Sequence, residues 1–310
     1  MSPGRLPSAR KRRARPPVRK VAVTGKETLI LDAAERKAAL LQVIGSARRR
    51  IVLSLFRCDD FSVLDALAGA LERGCEVEAI LTKRAKGGKK RLKKLWGALE
   101  EMGAVVTRYG DPVVKYHAKY LVADEATAIV TTLNPTRKCF SRTWDAVLIT
   151  EDKSVVSGLL ALFRADSTGV PLPSRRSISR RLIIGPERSR AEIRALIAGA
   201  RHSIRILDHK LSDPDLVGLL RERRDEGITV SVIGRHPMGP IEPHGKMMII
   251  DEQCAILGST ALSTLSLDFR REVSVVVHQP ALVKQLNLAY QALSARAGAA
   301  AAHLPGDRIA

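Results

Sequence analysis

The chain has 310 residues, 45% hydrophobic and 27% charged, with a formal net charge of +20. This balance suits a soluble globular protein with one large core or two modest ones. It holds no apolar run long enough to span a bilayer, and no apolar segment follows the basic N-terminus as a secretory signal would require. Cys58, Cys75, Cys139 and Cys254 lie far apart and form no CxxC. That argues against a zinc site or a disulfide framework and fits a reducing cytoplasm.

Residues 1–20 carry Arg5, Arg10, Lys11, Arg12, Arg13, Arg15, Arg19 and Lys20 with no acid, and read as a disordered basic tail. A first repeat is expected over 21–165. Ala34 to Ala47 has the spacing of a one-faced helix, with Leu40, Leu41 and Ile44 on that face. Ile51 to Phe56 reads as a buried strand, Phe61 to Arg73 as a helix stopped by Gly74, and Val77 to Leu81 as the next strand. Strand, helix and strand in that order predict a parallel pair with a crossover helix. A basic stretch follows, Lys83, Arg84, Lys86, Lys89, Lys90, Arg91, Lys93 and Lys94, again without an acid. It runs into an amphipathic helix over Leu92 to Met102. Tyr116 to Ala123 reads as a strand. Residues 166–180, rich in Gly, Pro and Ser, read as a linker. A second repeat is expected over 181–295, and 296–310 as a loose C-terminal tail.

The second half copies the first. Ala200 to Ile204 matches Ala47 to Ile51, and Gly227 matches Gly74, both at an offset of 153. The offset between His117 and His244 is only 127, so the first half holds 26 extra residues between its Gly and its His. These extra residues form an insertion around 83–109 that carries the basic cluster.

Each half also carries the same short pattern. His117-Ala118-Lys119 is followed by Asp124 and then by Thr131-Thr132-Leu133-Asn134. His244-Gly245-Lys246 is followed by Asp251 and then by Gly258-Ser259-Thr260-Ala261. An acid lies 28 residues after each His, Asp145 in one copy and Glu272 in the other. Tyr116 to Ala123 and Glu242 to Ile250 read as strands, and side chains two apart on a strand share a face, so each His and Lys should project together. Neither half has both a nucleophile and an acid. Two half-sites brought together about a pseudo-twofold axis would make one site.

HxKx4D followed by a small polar turn, present twice, resembles the phospholipase D superfamily, whose signature is HxKx4D with a following G-[ST]-x-N. The first copy departs at Thr131-Thr132, where Gly-Ser is usual, and the second at Ala261, where Asn is usual. The resemblance implies an α/β fold of two tandem repeats, each a mixed sheet flanked by helices, related by a pseudo-twofold with one shared active site. It implies a metal-independent phosphodiesterase working through a phosphohistidine, with no cofactor. His117 would be the nucleophile and His244 the acid that protonates the leaving oxygen.

Asp145 and Glu272 suit the carboxylate that holds a His tautomer and stabilises its developing charge. Lys119 and Lys246 would neutralise the phosphoryl oxygens, helped by Asn134, Ser259 and Thr132. Asp124 and Asp251 read as structural, pinning the turn at the end of the motif strand. Arg57, His209 and Lys210 follow the first parallel strand of each repeat and are placed to line the substrate entrance.

The substrate class stays open at this level. A phospholipid fits the resemblance and the basic patches on an anionic membrane; DNA or RNA fits the charge. Aromatic content of 4% does not indicate extensive base stacking. Cardiolipin synthases of this superfamily usually carry N-terminal membrane helices, and none is read here. A non-catalytic polyanion-binding module is the remaining alternative, opposed by four intact His and Lys residues. With both half-sites in one chain a monomer suffices, expected in the cytoplasm and in peripheral contact with a membrane.

Overall fold

The computed structural model describes residues 25–83, 88–175, 177–234, 241–297 and 304–305. The expected basic tail, Arg84 and Lys86 of the insertion, and most of the last fifteen residues lie outside this set.

Local signals set the elements of the first half. β1 (Glu27–Ile30) leads to Asp32, whose carboxylate accepts from the Ala34 amide at 2.7 Å and caps α1 (Ala33–Ser46). β2 (Arg50–Leu55), α2 (Phe61–Glu72) and β3 (Glu76–Thr82) form the expected crossover, and β2 and β3 pair in parallel. Gly74, at φ +83, takes the left-handed position after α2. The insertion adds α3 (Lys89–Glu101) and an edge strand, β4 (Val105–Tyr109). β5 (Lys115–Tyr116), β6 (Tyr120–Ala123), β7 (Thr127–Thr131), β8 (Thr143–Trp144), β9 (Val147–Thr150) and α4 (Lys153–Thr168) complete it. α4 starts at an Asp152 cap and runs three residues into the stretch expected to be linker; Gly169, at φ 73, ends it.

The second half contains β10 (Leu182–Gly185), α5 (Ser189–Gly199), β11 (Ser203–Leu207), α6 (Pro214–Asp225) and β12 (Thr229–Ile233). It continues through β13 (Glu242–Pro243), β14 (Met247–Ile250), β15 (Cys254–Gly258), α7 (Thr264–Phe269), β16 (Arg270–Val277) and α8 (Pro280–Ala297). The two main sheets run β1-β9-β7-β6-β2-β3-β4 and β10-β16-β15-β14-β11-β12. Apart from β4, which belongs to the insertion, the strand order is the same in both, as a duplication requires.

Strand residues alternate between two cores. Ile51 and Leu53 of β2 pack outward with Leu40 and Ile44 of α1 and Leu67 of α2. Val52 faces a central core shared by both halves, which includes Leu159 and Phe163 of α4 and Leu286 and Tyr290 of α8. Ile204 and Ile206 of β11 point to the outer core of the second half, beneath α5 and α6. With both faces covered, the strands are apolar almost throughout. A buried ion cluster also joins the halves: Arg181 bonds Glu27 and Asp152, each at 2.8 Å, and donates to the Val276 carbonyl at 3.0 Å. All three of these side chains are essentially inaccessible.

One expectation is corrected at the motifs. Tyr116 to Ala123 and Glu242 to Ile250 are not continuous strands; each breaks at its His-x-Lys. The cause is a change of partner. β5 lies parallel to the start of β16, with Tyr116 opposite Arg271, whereas β6 joins β2 in the first sheet. β13 lies parallel to β8, with Pro243 opposite Trp144, whereas β14 joins β11. Each motif therefore begins on the other repeat and ends in its own sheet.

Candidate active site

The change of partner sets the geometry of the site. The His117 amide donates to the Arg271 carbonyl at 2.9 Å, and Glu272 is the next residue on that strand. His117 Nδ1 and Glu272 Oε2 are 2.8 Å apart. The Gly245 amide donates to the Trp144 carbonyl at 2.8 Å, beside Asp145, and His244 Nδ1 lies 2.9 Å from Asp145 Oδ1. Each His is thus held by the carboxylate of the opposite repeat. Gly245 has to be small, because a Cβ there would lie 2.6 Å from the Trp144 ring.

The lysines close on the same centre. Lys119 Nζ donates to the His117 carbonyl at 2.8 Å and lies 3.2 Å from His117 Nδ1 and 3.3 Å from its Nε2. Lys246 Nζ donates to the His244 carbonyl at 2.8 Å. The lysines also feel one another, since Lys246 disfavours the charged form of both Lys119 and His117. Burial pushes the Lys119 pKa down to about 7, with Lys246 and Lys210 adding repulsion against the pull of Glu272. Lys210 is lowered by burial and then by Lys246 and Arg270. The result is a crowded cationic centre suited to an anion.

The two imidazoles have different surroundings. Burial pushes the His117 pKa down to about 3, and Glu272 only partly opposes it, so the ring is neutral at ordinary pH. With Nδ1 on Glu272, Nε2 carries the free lone pair. Burial would raise both carboxyls, but their partners hold them below the usual range. For Glu272 these are His117, Lys119 and Ser259; for Asp145 they are His244, Thr143 and Thr132.

Thr132 and Ser259, expected on the substrate phosphate, are buried behind the carboxylates instead. Thr132 Oγ1 donates to Asp145 Oδ1 at 2.7 Å, and Ser259 Oγ donates to the Val273 carbonyl at 3.2 Å. Both are at most 1% exposed, leaving no hydroxyl for a substrate oxygen. They lie on the strand neighbouring their acid, so they buttress it. Asn134 is buried with its Oδ1 unbonded, a free acceptor rather than a bound one.

Asp124 and Asp251 lie away from this centre. Each sits at positive φ in the turn after the motif strand and accepts three successive amides, from Arg48, Arg49 and Arg50 in one case and Arg201, His202 and Ser203 in the other. Of the proposed lining residues, His209 stacks on His244 with ring centroids 6.3 Å apart, and Lys210 contributes charge. Arg57 is exposed and lies over Phe56. Phe56 itself packs on His117 at 4.7 Å, at the position equivalent to His209.

Two supporting hydroxyls were missed in the sequence. Thr143 Oγ1 donates to Asp145 Oδ2 at 2.5 Å, and Ser266 Oγ to Glu272 Oε1 at 2.8 Å. Ser266 occupies the place equivalent to Cys139 at the His-to-His offset of 127, which was the available signal.

Among the described residues, Cys139, Asp145 and His244 have ligand-type atoms within 4.8 Å of one another. Burial raises the Cys139 thiol, and both Asp145 oxygens already accept hydrogen bonds. The group is thus a hydrogen-bonded support for His244, and a soft cation there would have to displace those bonds.

Together these features define a two-repeat α/β protein with one composite His, Lys and carboxylate site. Residues 40–167 match a family described as cardiolipin synthase, PLD-like domain. The fold is similar to polyphosphate kinase from Porphyromonas gingivalis, with a TM-score of 0.69 and 19% identity, over 86% of this chain and 46% of that one. The chain therefore spans less than half the length of that kinase. It is also similar to phosphatidylserine synthase from Haemophilus influenzae Rd KW20, with a TM-score of 0.66 and 11% identity over 86% of each chain. No curated protein matches the sequence. Residues 40–167 are thus similar to a PLD-like domain, and the chain as a whole shares the fold of these two structures.

Proposed function

We propose that this chain is a metal-independent phosphodiesterase of the phospholipase D type. The observation that carries the reading is the reciprocal pairing of His117 with Glu272 and His244 with Asp145 around two buried lysines. In the first step His117 Nε2 attacks phosphorus, the P–N bond forms, the P–O bond to the leaving group breaks, and His244 gives its proton to the departing oxygen. In the second step His244 takes a proton from water, or from an alcohol, whose oxygen attacks phosphorus and releases His117. Glu272 and Asp145 hold the ring tautomers and balance the positive charge as it develops. Lys119 and Lys246 stabilise the non-bridging oxygens. The neutral state of His117 supports its part as nucleophile, and the greater exposure of His244 suits a group that meets leaving alcohol and water.

A phospholipid is the substrate favoured. Two comparisons support it: the family matched is described by a cardiolipin synthase, and the Haemophilus phosphatidylserine synthase aligns over 86% of both chains. A nuclease is the second reading, supported by Lys89, Lys90, Arg91, Lys93 and Lys94, all exposed on α3. The test is product analysis in EDTA with labelled phospholipid vesicles and a labelled oligonucleotide in parallel, with His117→Ala as control. Release of headgroup and phosphatidic acid by wild type alone is expected. Cleaved oligonucleotide beside intact lipid would make the protein a nuclease. Activity lost in EDTA would overturn the metal-free mechanism, and binding without turnover of either substrate would leave only a polyanion-binding module.

A further inference from the structure

Among the described residues, seven large hydrophobic side chains stand exposed, and four of them, Phe61, Val113, Leu265 and Phe269, belong to segments at the rim of the site. Leu265 and Phe269 are 53% and 44% exposed and lie four apart on α7, on one side of it. Phe269 directly precedes Arg270, the residue of β16 that pairs with Lys115. Val113, 65% exposed, lies two residues before Lys115, the partner of Arg270, and four before His117. Phe61 is 65% exposed, with the Arg137 guanidinium 5.3 Å over its ring. The segment carrying Arg137 and Arg142 runs beside the strand that leads to His244, since the Glu242 amide donates to the Arg142 carbonyl at 3.0 Å. Arg57, Arg137 and Arg142 are all exposed.

We infer that this rim, with apolar side chains set among arginines, docks the protein on an anionic phospholipid bilayer. The inference rests on the phospholipid reading of the site. Apolar tips gain nothing against a hydrated phosphodiester backbone, but at a lipid surface they enter the acyl boundary while the arginines meet anionic headgroups. Because Val113 lies four residues before His117 and Phe269 three before Glu272, docking would present a headgroup phosphate to the site without removing the lipid from the membrane.

The test is co-sedimentation of the full chain with phosphatidylcholine vesicles, with and without phosphatidylglycerol, alongside turnover of a monomeric short-chain phospholipid in EDTA. Wild type should partition to the anionic vesicles only. Leu265→Ser/Phe269→Ser should lose partition by about tenfold or more, the scale set by two large apolar side chains, with turnover of the monomeric lipid unchanged. In Phe269→Trp, indole emission should shift to the blue on anionic vesicles. Wild-type partition by the double variant, or no shift in the Trp variant, would overturn docking through this rim, as would a wild type that ignores anionic vesicles. Absent turnover of monomeric lipid would count against the phosphodiesterase reading, while the partition result would still decide the docking.

Discussion

The two half-sites share one plan and differ in depth. His117 is 12% exposed, is packed on Phe56 and has the Lys119 ammonium against its ring. His244 is 29% exposed, stacks more loosely on His209, and among the described residues its lysine bonds its main chain rather than its ring. Behind His117 stand Glu272, Ser259 and Ser266; behind His244 stand Asp145, Thr132, Thr143 and the Cys139 thiol. A duplicated frame has thus become one neutral, shielded imidazole and one more accessible imidazole, the division that the proposed displacement through a covalent intermediate would use. The difference lies in side chains around the rings, because the backbone arrangement is reciprocal.

Several substitutions test this asymmetry, beginning with the largest expected effect. His117→Ala should lower turnover on the order of 10⁴-fold or more, since it removes the proposed nucleophile. His244→Ala should lower it as severely for a substrate with a poor leaving group. For an activated aryl phosphodiester, which needs no proton at the leaving oxygen, its first step should largely survive. Equal losses on both substrates would erase the proposed division. Glu272→Gln and Asp145→Asn keep shape and remove charge, and each should cost roughly 10²- to 10³-fold in kcat with little change in KM.

The lysine centre gives a pH effect. Because the Lys119 pKa is pushed down to about 7, the ammonium is lost as pH rises through 7. Sulfate, whose charge is constant in this range, should bind more weakly above pH 7, and Lys119→Arg should remove that inflection, as titration calorimetry can measure. For stability, the folded His117 pKa of about 3 lies below the unfolded value of about 6.5. The unfolded chain takes up a proton first, so stability should fall as pH drops from about 6.5 towards 3. Urea midpoints should follow that slope in wild type and flatten in His117→Gln. The smallest effect is expected for Asp124→Ala, which removes the carboxylate that accepts from three amides at an exposed turn and should cost about 1–2 kcal/mol without altering KM.

Much of this was legible in the sequence. The two HxKx4D copies and the 153-residue offset of the crossover units marked the duplication and the insertion, which appears as α3 and the extra edge strand β4. The equal spacing of Asp145 and Glu272 picked out both carboxylates. Which His each one serves was not legible, because that depends on β5 pairing with β16 and β13 with β8, contacts between distant segments. The breaks at His-x-Lys were hidden for the same reason: a strand that changes sheets has the same period on both sides. Thr132 and Ser259 look like phosphate ligands in a linear motif, and only the neighbouring strand turns them towards carboxylates. His209 was marked by its place after the first parallel strand, but the stacking of Phe56 and His209 on the two His rings depends on loop conformation.

The most direct test of a shielded nucleophile opposite a more open acid is to trap the intermediate. His244→Ala would be mixed with an activated phosphodiester at neutral pH in EDTA, quenched in alkali, in which phosphohistidine survives, and mapped by mass spectrometry. The phosphoryl adduct should lie on His117 and be absent from the His117→Ala/His244→Ala protein. An adduct on a different residue, or metal-dependent turnover with no adduct at any time, would contradict the account.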